Sequence, residues 1–328
     1  MVWRALPLRG WCFAALTGLG ASFHTSQLAL GRSDQSRPLK QRSAEDRALG
    51  RARGTFGTFW KRLRERPGHW RVKRKSGQRG YFDLHIPKTA GSSFAFDVRR
   101  VIPEGEGYNS EETCFYTTRP AMLPGDVKMA FLRNPASHVY SQFMQCKCTD
   151  WGKSHVPEKD AHLMESVTAW LRHFDGGRET SDLRCYHPYN MQTRALVCRS
   201  YGCHHHEAEP DLAEALRNLD SLFFVGLTEH YQASLCLFFA RTHPGEPLPR
   251  WCDCGDEAAW KSFRPTRRIT HDVPEHSLRD LSEEDLALIS DLTRLDAQLY
   301  RNATARFARE AAEVERSTGT RILCEDAA

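Results

Sequence analysis

Short apolar runs alternate with helically spaced apolar stripes from about residue 81 onward, and this alternation predicts an α/β domain. Three runs have the length and composition of buried strands, at 81–86, 127–132 and 222–227. Apolar positions recur at helical spacing over 160–174 and 286–310. Strands that alternate with helices favour a central parallel sheet with helices packed against it.

Breaking and capping residues predict how these elements are connected. Pro87 ends the first strand, and a helix is expected over 94–100, capped by Ser92 or Ser93. Pro135 suits the first turn of another helix. The other connections predict a loop at 103–126, irregular chain at 146–158, a short helix at 210–219 and a loop at 243–276.

The first 80 residues lack this periodicity. An uncharged run at 10–23 follows two arginines, and it fits a signal anchor, a cleaved signal peptide or an organelle transit peptide. Residues 24–80 contain 16 basic and four acidic residues, which predicts a disordered stem. The folded domain is therefore expected at 81–315, followed by a tail at 316–328.

Charge and cysteine usage narrow the choice of partner and compartment. The whole chain has a net charge of +5 and residues 24–80 carry +12, so the remainder is acidic overall. The basic segment suits acidic glycans, anionic lipid or nucleic acid, and a solvated spacer explains it equally well. Ten of the eleven cysteines follow Cys12, which favours an oxidising compartment and therefore a secretory signal or anchor.

A cluster of cysteines and histidines near residue 200 suggests either a metal site or a disulfide. Cys198, Cys203 and the histidines at 204–206 fit no common zinc spacing, and no matching second half follows. A disulfide between Cys198 and Cys203 beside an exposed histidine run is therefore favoured. Cys252 and Cys254 are each expected to pair elsewhere.

A short motif follows the first predicted strand and predicts a phosphate site. Gly91 lets the backbone approach a ligand, and free N–H groups at a helix start attract an anion. Lys88 adds a positive charge, but it precedes the glycine, unlike the lysine of the GxxxxGK[ST] pattern. The motif comprises Pro87, Lys88, Thr89, Ala90, Gly91, Ser92, Ser93 and Phe94.

A second motif follows the strand at 127–132. Arg133 stands at the strand end, and a guanidinium can bind phosphate through two parallel hydrogen bonds. In the helix that begins at Pro135, Ser137 and Ser141 lie one turn apart and share a face. Arg133 and Ser141 therefore predict a second anion site.

Together the two motifs resemble those of Golgi carbohydrate sulfotransferases, particularly the heparan sulfate 2-O- and 6-O-enzymes. In that family the first loop holds the 5′-phosphosulfate of 3′-phosphoadenylyl sulfate (PAPS). The arginine and serine of the second motif hold its 3′-phosphate. The resemblance covers about residues 81–310, and it implies a P-loop-like three-layer fold. It also implies a Golgi lumenal, single-pass type II membrane protein, or else a secreted one.

Three weaker similarities accompany the two loops. The segment 190–194 resembles one near the nucleotide in the 6-O-enzymes, which adds Arg194 to the expected nucleotide contacts. The segment 225–229 resembles the run that closes the nucleotide side of the sheet, and 295–300 resembles the last helix of the family. The resemblance also implies that 243–276 covers the adenine and the acceptor groove.

The general base is the least determined role. The 2-O- and 6-O-enzymes carry a histidine between the two loops, and this chain has none there before His138. Glu112 is the first candidate, followed by Glu111 and then His138, with His187 more remote. Lys88 is expected to meet the charge that develops on the leaving phosphate.

The favoured function is PAPS-dependent sulfation of a glycan hydroxyl without a metal. The N-terminal segment would attach the protein to a membrane, and no nucleic-acid partner is expected. A nucleotide kinase of related fold is an alternative, but it needs a lysine after the glycine and an aspartate for Mg²⁺, and neither is evident. The non-enzymatic alternative is a basic glycan-binding secretory protein that acts through residues 24–80. Asn302 begins a glycosylation sequon.

Overall fold

The structure, a computed structural model, describes residues 70–117, 122–174, 183–199, 209–266, 270–271 and 273–324. These residues belong to one unit of the chain, Gly68–Ala328. The predicted signal or anchor at 1–23, most of the predicted stem at 24–80 and the histidine run at 204–206 lie outside the described residues. Within the described ranges, no helix combines the length and apolar character needed to span a membrane.

A five-stranded sheet forms the centre of the fold. Its strands are β1 (Trp70–Val72), β2 (Gly80–Leu84), β3 (Gly107–Glu111), β4 (Val127–Leu132) and β5 (Phe224–Leu227). They lie in the order β1-β3-β2-β4-β5, and β1 alone is antiparallel to its neighbour. The predicted α/β class with a central, mostly parallel sheet is therefore confirmed.

Helices flank this sheet. They are α1 (Gly91–Asp97), α2 (Pro135–Cys148), α3 (Asp150–His155), α4 (Val167–His173), α5 (Met191–Val197), α6 (Leu212–Ser221), α7 (Tyr231–Thr242), α8 (Glu257–Lys261), α9 (Glu283–Leu292) and α10 (Arg294–Thr318). Short 3₁₀ segments occur at Val98–Arg100, Glu158–Met164, Arg250–Cys252 and Leu278–Asp280.

The core fixes the loop that follows β2. All residues of β2 and β5 are buried, as expected of strands that are covered on both faces. Phe94 of α1 contacts Phe131 of β4 and Phe238 of α7, with ring centroids 4.8 and 5.4 Å apart. Aromatic contacts of this kind hold α1 against the sheet, and the loop before α1 is held with it.

Two strands occur where sequence patterns predict none. β3 lies within the segment 103–126, predicted as a loop, and β1 lies within the predicted stem. Neither strand has an apolar run, because β3 reads Gly-Tyr-Asn-Ser-Glu and β1 is three residues long. β1 is the outer strand beside β3, and short, charged segments are common at sheet edges. The sheet therefore includes residues N-terminal to the predicted domain start at 81.

Several helices have different limits from those predicted. The segment 160–174 is not one helix, because Ser166 accepts a hydrogen bond from Ala169 N and caps α4 separately. The segment 286–310 is divided between α9 and α10 at Thr293. α2 and α3 occupy much of 146–158, which was predicted as irregular.

Four disulfides are present among the described residues: Cys114–Cys198, Cys146–Cys185, Cys236–Cys252 and Cys254–Cys324. The predicted Cys198–Cys203 pair is wrong, since Cys198 bonds to a cysteine 84 residues away. Proximity in sequence suggested the local pair, but the fold brings Cys114 beside Cys198. The prediction that Cys252 and Cys254 pair elsewhere is confirmed. This disulfide content indicates an oxidising environment of the secretory pathway.

Candidate active site

The carboxyl ends of β2 and β4 meet where the chain changes direction across the sheet. From β2 the chain crosses to β3 on one side and then returns to β4 on the other side of β2. In open α/β sheets such a switch point leaves a crevice beyond the strand ends, and ligands bind there. Both predicted motifs leave the sheet at this place.

The loop between β2 and α1 has an uncommon backbone conformation. Lys88 and Ala90 have positive φ angles of 68° and 74°, although neither is glycine. Each such residue costs about 1–3 kcal/mol, and this strain is found mainly at ligand sites and switch regions. Ala90 occupies the N-cap of α1, and no side chain of the described residues caps this helix. The expected capping by Ser92 or Ser93 is therefore wrong, because the helix already begins at Gly91.

Thr89 and Gly91 serve the loop itself. Thr89 Oγ1 donates a hydrogen bond to Ile86 O at 2.8 Å. The proton of this hydroxyl is therefore not free for the phosphate contact expected of the loop. A Cβ atom at Gly91 would lie 2.5 Å from Cδ2 of the buried His85. Glycine is thus required here for packing against the histidine ring.

His138 of α2 fastens the second motif to the first. Its Nε2–H donates to Pro87 O at 2.7 Å, and its Nδ1 accepts from Gln142 Nε2 at 3.2 Å. Burial, together with the charges of Arg133 and Lys88, lowers the pKa of His138 to about 3. An imidazole whose two nitrogens are both hydrogen-bonded inside the protein is poorly suited to accept a substrate proton.

Lys88 and Arg133 come together from the two motifs and form the cation pair. Arg133 Nη1 donates to Lys88 O at 3.1 Å, and Lys88 Nζ donates to Gln145 Oε1 at 2.9 Å. Within the described residues neither side chain forms a salt bridge. Burial and the charge of Arg133 lower the pKa of Lys88 to about 8. The pair therefore consists of two half-buried like charges without a bonded counter-ion among the described residues.

The backbone around Arg133 is held firmly. Arg133 N donates to Gln192 Oε1, and Gln192 Nε2 donates to Arg133 O, both at 2.9 Å. The Asn134 side chain accepts from the N–H groups of Ala136 and Ser137 and caps α2, with Pro135 in the first turn as predicted. The guanidinium is thus carried by a fixed strand end.

One face of α2 contacts the cation pair through Gln145. Ser141 and Gln145 are one turn apart and share a face of the helix. Gln145 accepts a hydrogen bond from Lys88, whereas the hydroxyl of the buried Ser141 forms no hydrogen bond with any described residue. This hydroxyl is therefore not committed to a partner within the described residues.

Glu111 is the last residue of the neighbouring strand β3, and Glu112 follows it directly. The Glu111 carbonyl accepts from His85 N at 3.0 Å, and its carboxylate accepts from Asn109 Nδ2 at 3.3 Å. Glu112 is exposed and has no hydrogen bond or salt bridge within the described residues. Desolvation nevertheless raises the pKa of Glu112 to about 7, against the opposing charge of Lys88.

Arg194 and His187 stabilise a loop next to this region. Arg194 is 2% exposed, and its guanidinium donates to Tyr189 O at 2.6 Å and His187 O at 2.7 Å. His187 is also buried, and its Nδ1 accepts from Tyr189 N at 3.3 Å. These contacts give Arg194 a supporting role in the loop, and the nucleotide contact that the resemblance implies for it stays a prediction.

His276 lies near the cation pair, and no sequence motif pointed to it. Its Nδ1–H donates to Pro274 O at 2.8 Å, and its ring meets Tyr140 edge-on with centroids 5.2 Å apart. Its Nε2 is buried and has no hydrogen-bond partner among the described residues. Burial and the charges of Arg133 and Lys88 lower its pKa. A single histidine in a long loop gives no sequence signal, so only the fold reveals this position.

The assembled groups can bind an anion with more than one charged group and can accept a proton nearby. Comparison with protein-family models finds none that matches the chain, and comparison with curated proteins finds no match. A functional assignment therefore rests on the geometry of the site and on the resemblance of its two motifs.

Proposed function

We propose that the protein is a PAPS-dependent sulfotransferase that acts on a carbohydrate hydroxyl. The observation that carries this proposal is the cation pair, in which Lys88 of the first motif and Arg133 of the second lie together without a bonded counter-ion among the described residues. Two half-buried like charges repel each other, and a bound anion relieves this repulsion. PAPS carries a 5′-phosphosulfate and a 3′-phosphate, which match the two motifs. The parallel sheet with a strand–loop–helix connection at its switch point supports a P-loop-like fold.

Each group near the cation pair has a distinct role in this proposal. The oxygen of the acceptor hydroxyl forms a bond to sulfur, and the bond from sulfur to the bridging oxygen of the 5′-phosphate breaks. Lys88 stabilises the charge that develops on that oxygen, and Arg133 and Ser141 hold the 3′-phosphate. The hydroxyl proton passes to a base, and adenosine 3′,5′-bisphosphate leaves.

Glu112 is the best-placed base. Its pKa of about 7 suits proton transfer at neutral pH, and its carboxylate is solvent-accessible near Lys88. Glu111 is less suitable because its side chain already accepts a hydrogen bond within β3. His138 is less suitable because Pro87 and Gln142 occupy both of its ring nitrogens.

The disulfides support an oxidising compartment, and with the N-terminal segment they favour the Golgi lumen. In this proposal residues 1–23 anchor the protein in the membrane and the acceptor is a lumenal glycan.

The direct test is transfer of label from radiolabelled PAPS to a panel of desulfated glycans, with γ-labelled ATP in parallel reactions. We expect sulfate transfer to at least one glycan, loss of transfer in Lys88→Met, and normal transfer in the control Lys153→Met, which changes an exposed lysine. Transfer from ATP alone would favour a kinase. Glycan binding without transfer from either donor would favour the non-enzymatic alternative.

A further inference from the structure

One ring nitrogen of His276 forms a hydrogen bond, and the other has no hydrogen-bond partner within the described residues. Because a backbone carbonyl can only accept, the 2.8 Å contact with Pro274 O requires the proton on Nδ1. Nε2 then carries a lone pair, and it is buried without a partner in the described part of the chain. A buried polar atom without a partner is uncommon in native proteins, and a water molecule, an ion or a ligand can complete it.

The groups that face this imidazole come from four elements. Arg133 at the end of β4 and Lys88 in the loop after β2 both disfavour its protonation, and Arg133 has the larger effect. Asp280 favours protonation, but its carboxylate also accepts hydrogen bonds from Ser277 N at 2.8 Å and Tyr140 OH at 3.4 Å. Tyr140 of α2 packs against the ring. Burial and the two cations outweigh the opposing effects of Pro274 O and Asp280, so the pKa of His276 is lowered and the imidazole is neutral.

An anion bound at the cation pair reverses this balance. It neutralises the charges that disfavour imidazolium, and it offers an acceptor for an Nε2–H group. We propose that His276 is a proton-linked anion contact, which takes up one proton at Nε2 and donates a hydrogen bond to the phosphate that Arg133 binds. The identity of that phosphate, the 3′-phosphate of the nucleotide, rests on the proposed function.

Calorimetric titration of the full chain with adenosine 3′,5′-bisphosphate tests this proposal. Titrations in buffers of different ionisation enthalpy measure the protons taken up on binding. His276→Asn is the informative variant, because an Asn amide can still donate to Pro274 O but has nothing at the Nε2 position. The matched control is His162→Asn, since His162 is exposed and also contacts a carbonyl, Lys159 O, through Nδ1.

We expect the wild-type protein and His162→Asn to take up about one proton more than His276→Asn near neutral pH. Lys88, Glu112 and the ligand phosphates also exchange protons, but they do so in all three proteins and cancel in the difference. Affinity should consequently fall more steeply with rising pH in the wild type than in His276→Asn, by up to about tenfold per pH unit. A merely structural role for His276 would change affinity without changing proton uptake.

The outcomes separate this inference from the proposed function. Tight binding of the bisphosphate with equal proton uptake in all three proteins would overturn the inference and leave the sulfotransferase proposal intact. Binding of pyrophosphate but not of the bisphosphate, with uptake that depends on His276, would support the inference and contradict the PAPS proposal. No binding of either anion would overturn both. Because His276 is a half-buried loop residue, the Asn variant is expected to fold, and its thermal unfolding checks this.

Discussion

Two buried polar regions of this protein differ in how completely their groups are paired. The cation pair has two like charges without a bonded counter-ion, and the buried His276 Nε2 near it has no hydrogen-bond partner within the described residues. The second region, the α5–α10 junction, consists of Gln192, Thr193 and Asp296, and it excludes the adjoining Asn190, whose Nδ2 has no hydrogen-bond partner within the described residues. Asp296 Oδ1 accepts from Thr193 N and Thr193 Oγ1, both at 2.7 Å, and Oδ2 accepts from Gln192 N at 3.2 Å.

The difference indicates that one region stabilises the fold and the other binds a ligand. Satisfied buried groups stabilise and rigidify a fold, whereas unsatisfied groups of like charge are retained where a ligand completes them. The two regions are also connected, because the Gln192 side chain holds both backbone polar groups of Arg133. The junction therefore positions the strand end that carries one member of the cation pair. Substitutions at the junction should therefore lower stability. Substitutions at the cation pair should lower activity and raise stability.

The largest stability effect is expected at the junction. Asp296→Ala removes a carboxylate that is 1% exposed and leaves three hydrogen-bond donors unsatisfied. We expect the free energy of unfolding in urea to fall by about 3–5 kcal/mol, since each buried unsatisfied group costs about 1–3 kcal/mol. Asp291→Ala, which changes an exposed residue of α9, is the control. Equal stabilities of the two variants would show that the junction does not support the fold.

At the cation pair we expect a substitution to lower activity and to raise stability. Lys88→Met should lower turnover roughly a hundred- to a thousandfold, as loss of one preorganised donor typically does. The same change should raise the free energy of unfolding at pH 7 by about 1 kcal/mol, with screening by water limiting the gain. The measurements are steady-state kinetics with PAPS varied and urea unfolding, with Lys153→Met as control.

The stability gain of Lys88→Met should also depend on pH. The pKa of Lys88 is lowered from its usual value of 10.5 to about 8 in the folded protein, so the protonated lysine destabilises the fold at neutral pH. This penalty diminishes as pH rises through 8 towards 10.5, and the gain of the variant should diminish with it. A Met variant that is both inactive and less stable at pH 7 would contradict the account of the cation pair.

A smaller effect is expected in the pH profile of kcat/KM. Glu112 must lose its proton to act as a base, so activity should rise about tenfold per unit as pH increases towards about 7. Lys88 must keep its proton, so activity should fall above about 8. Glu112→Gln should lower the maximum and remove the acidic limb, whereas Glu111→Gln should retain both limbs. An unchanged acidic limb in Glu112→Gln would assign the base elsewhere.

The sequence predicts those parts of the fold that have strong local patterns. β4 at Val127–Leu132 coincides with its apolar run, and Pro135 lies in the first turn of α2 as predicted. β3 escapes prediction because a polar strand has no apolar run, although it places Glu112 beside the switch point. The disulfide partner of Cys198 lies 84 residues away, and no local pattern indicates such a pairing.

The candidate site is predictable to a similar extent. The two motifs place Lys88 and Arg133 at strand ends, and parallel strands bring those ends together. The motifs do not reveal that His138 is tied to Pro87 or that Arg194 is buried against carbonyls, because these contacts depend on tertiary packing. They also give no indication of His276, whose position depends on a loop that folds back towards α2.

The central claim is that the cation pair binds a nucleotide with a 3′-phosphate. The most direct test compares the affinities of the protein for two nucleotides. We expect calorimetry to show that adenosine 3′,5′-bisphosphate binds about ten- to a hundredfold more tightly than ADP, the range expected for one charge-assisted contact. Arg133→Ala should remove most of this preference, and Arg172→Ala, at an exposed position of α4, should retain it. Equal affinities for the two nucleotides in the wild-type protein would contradict the account.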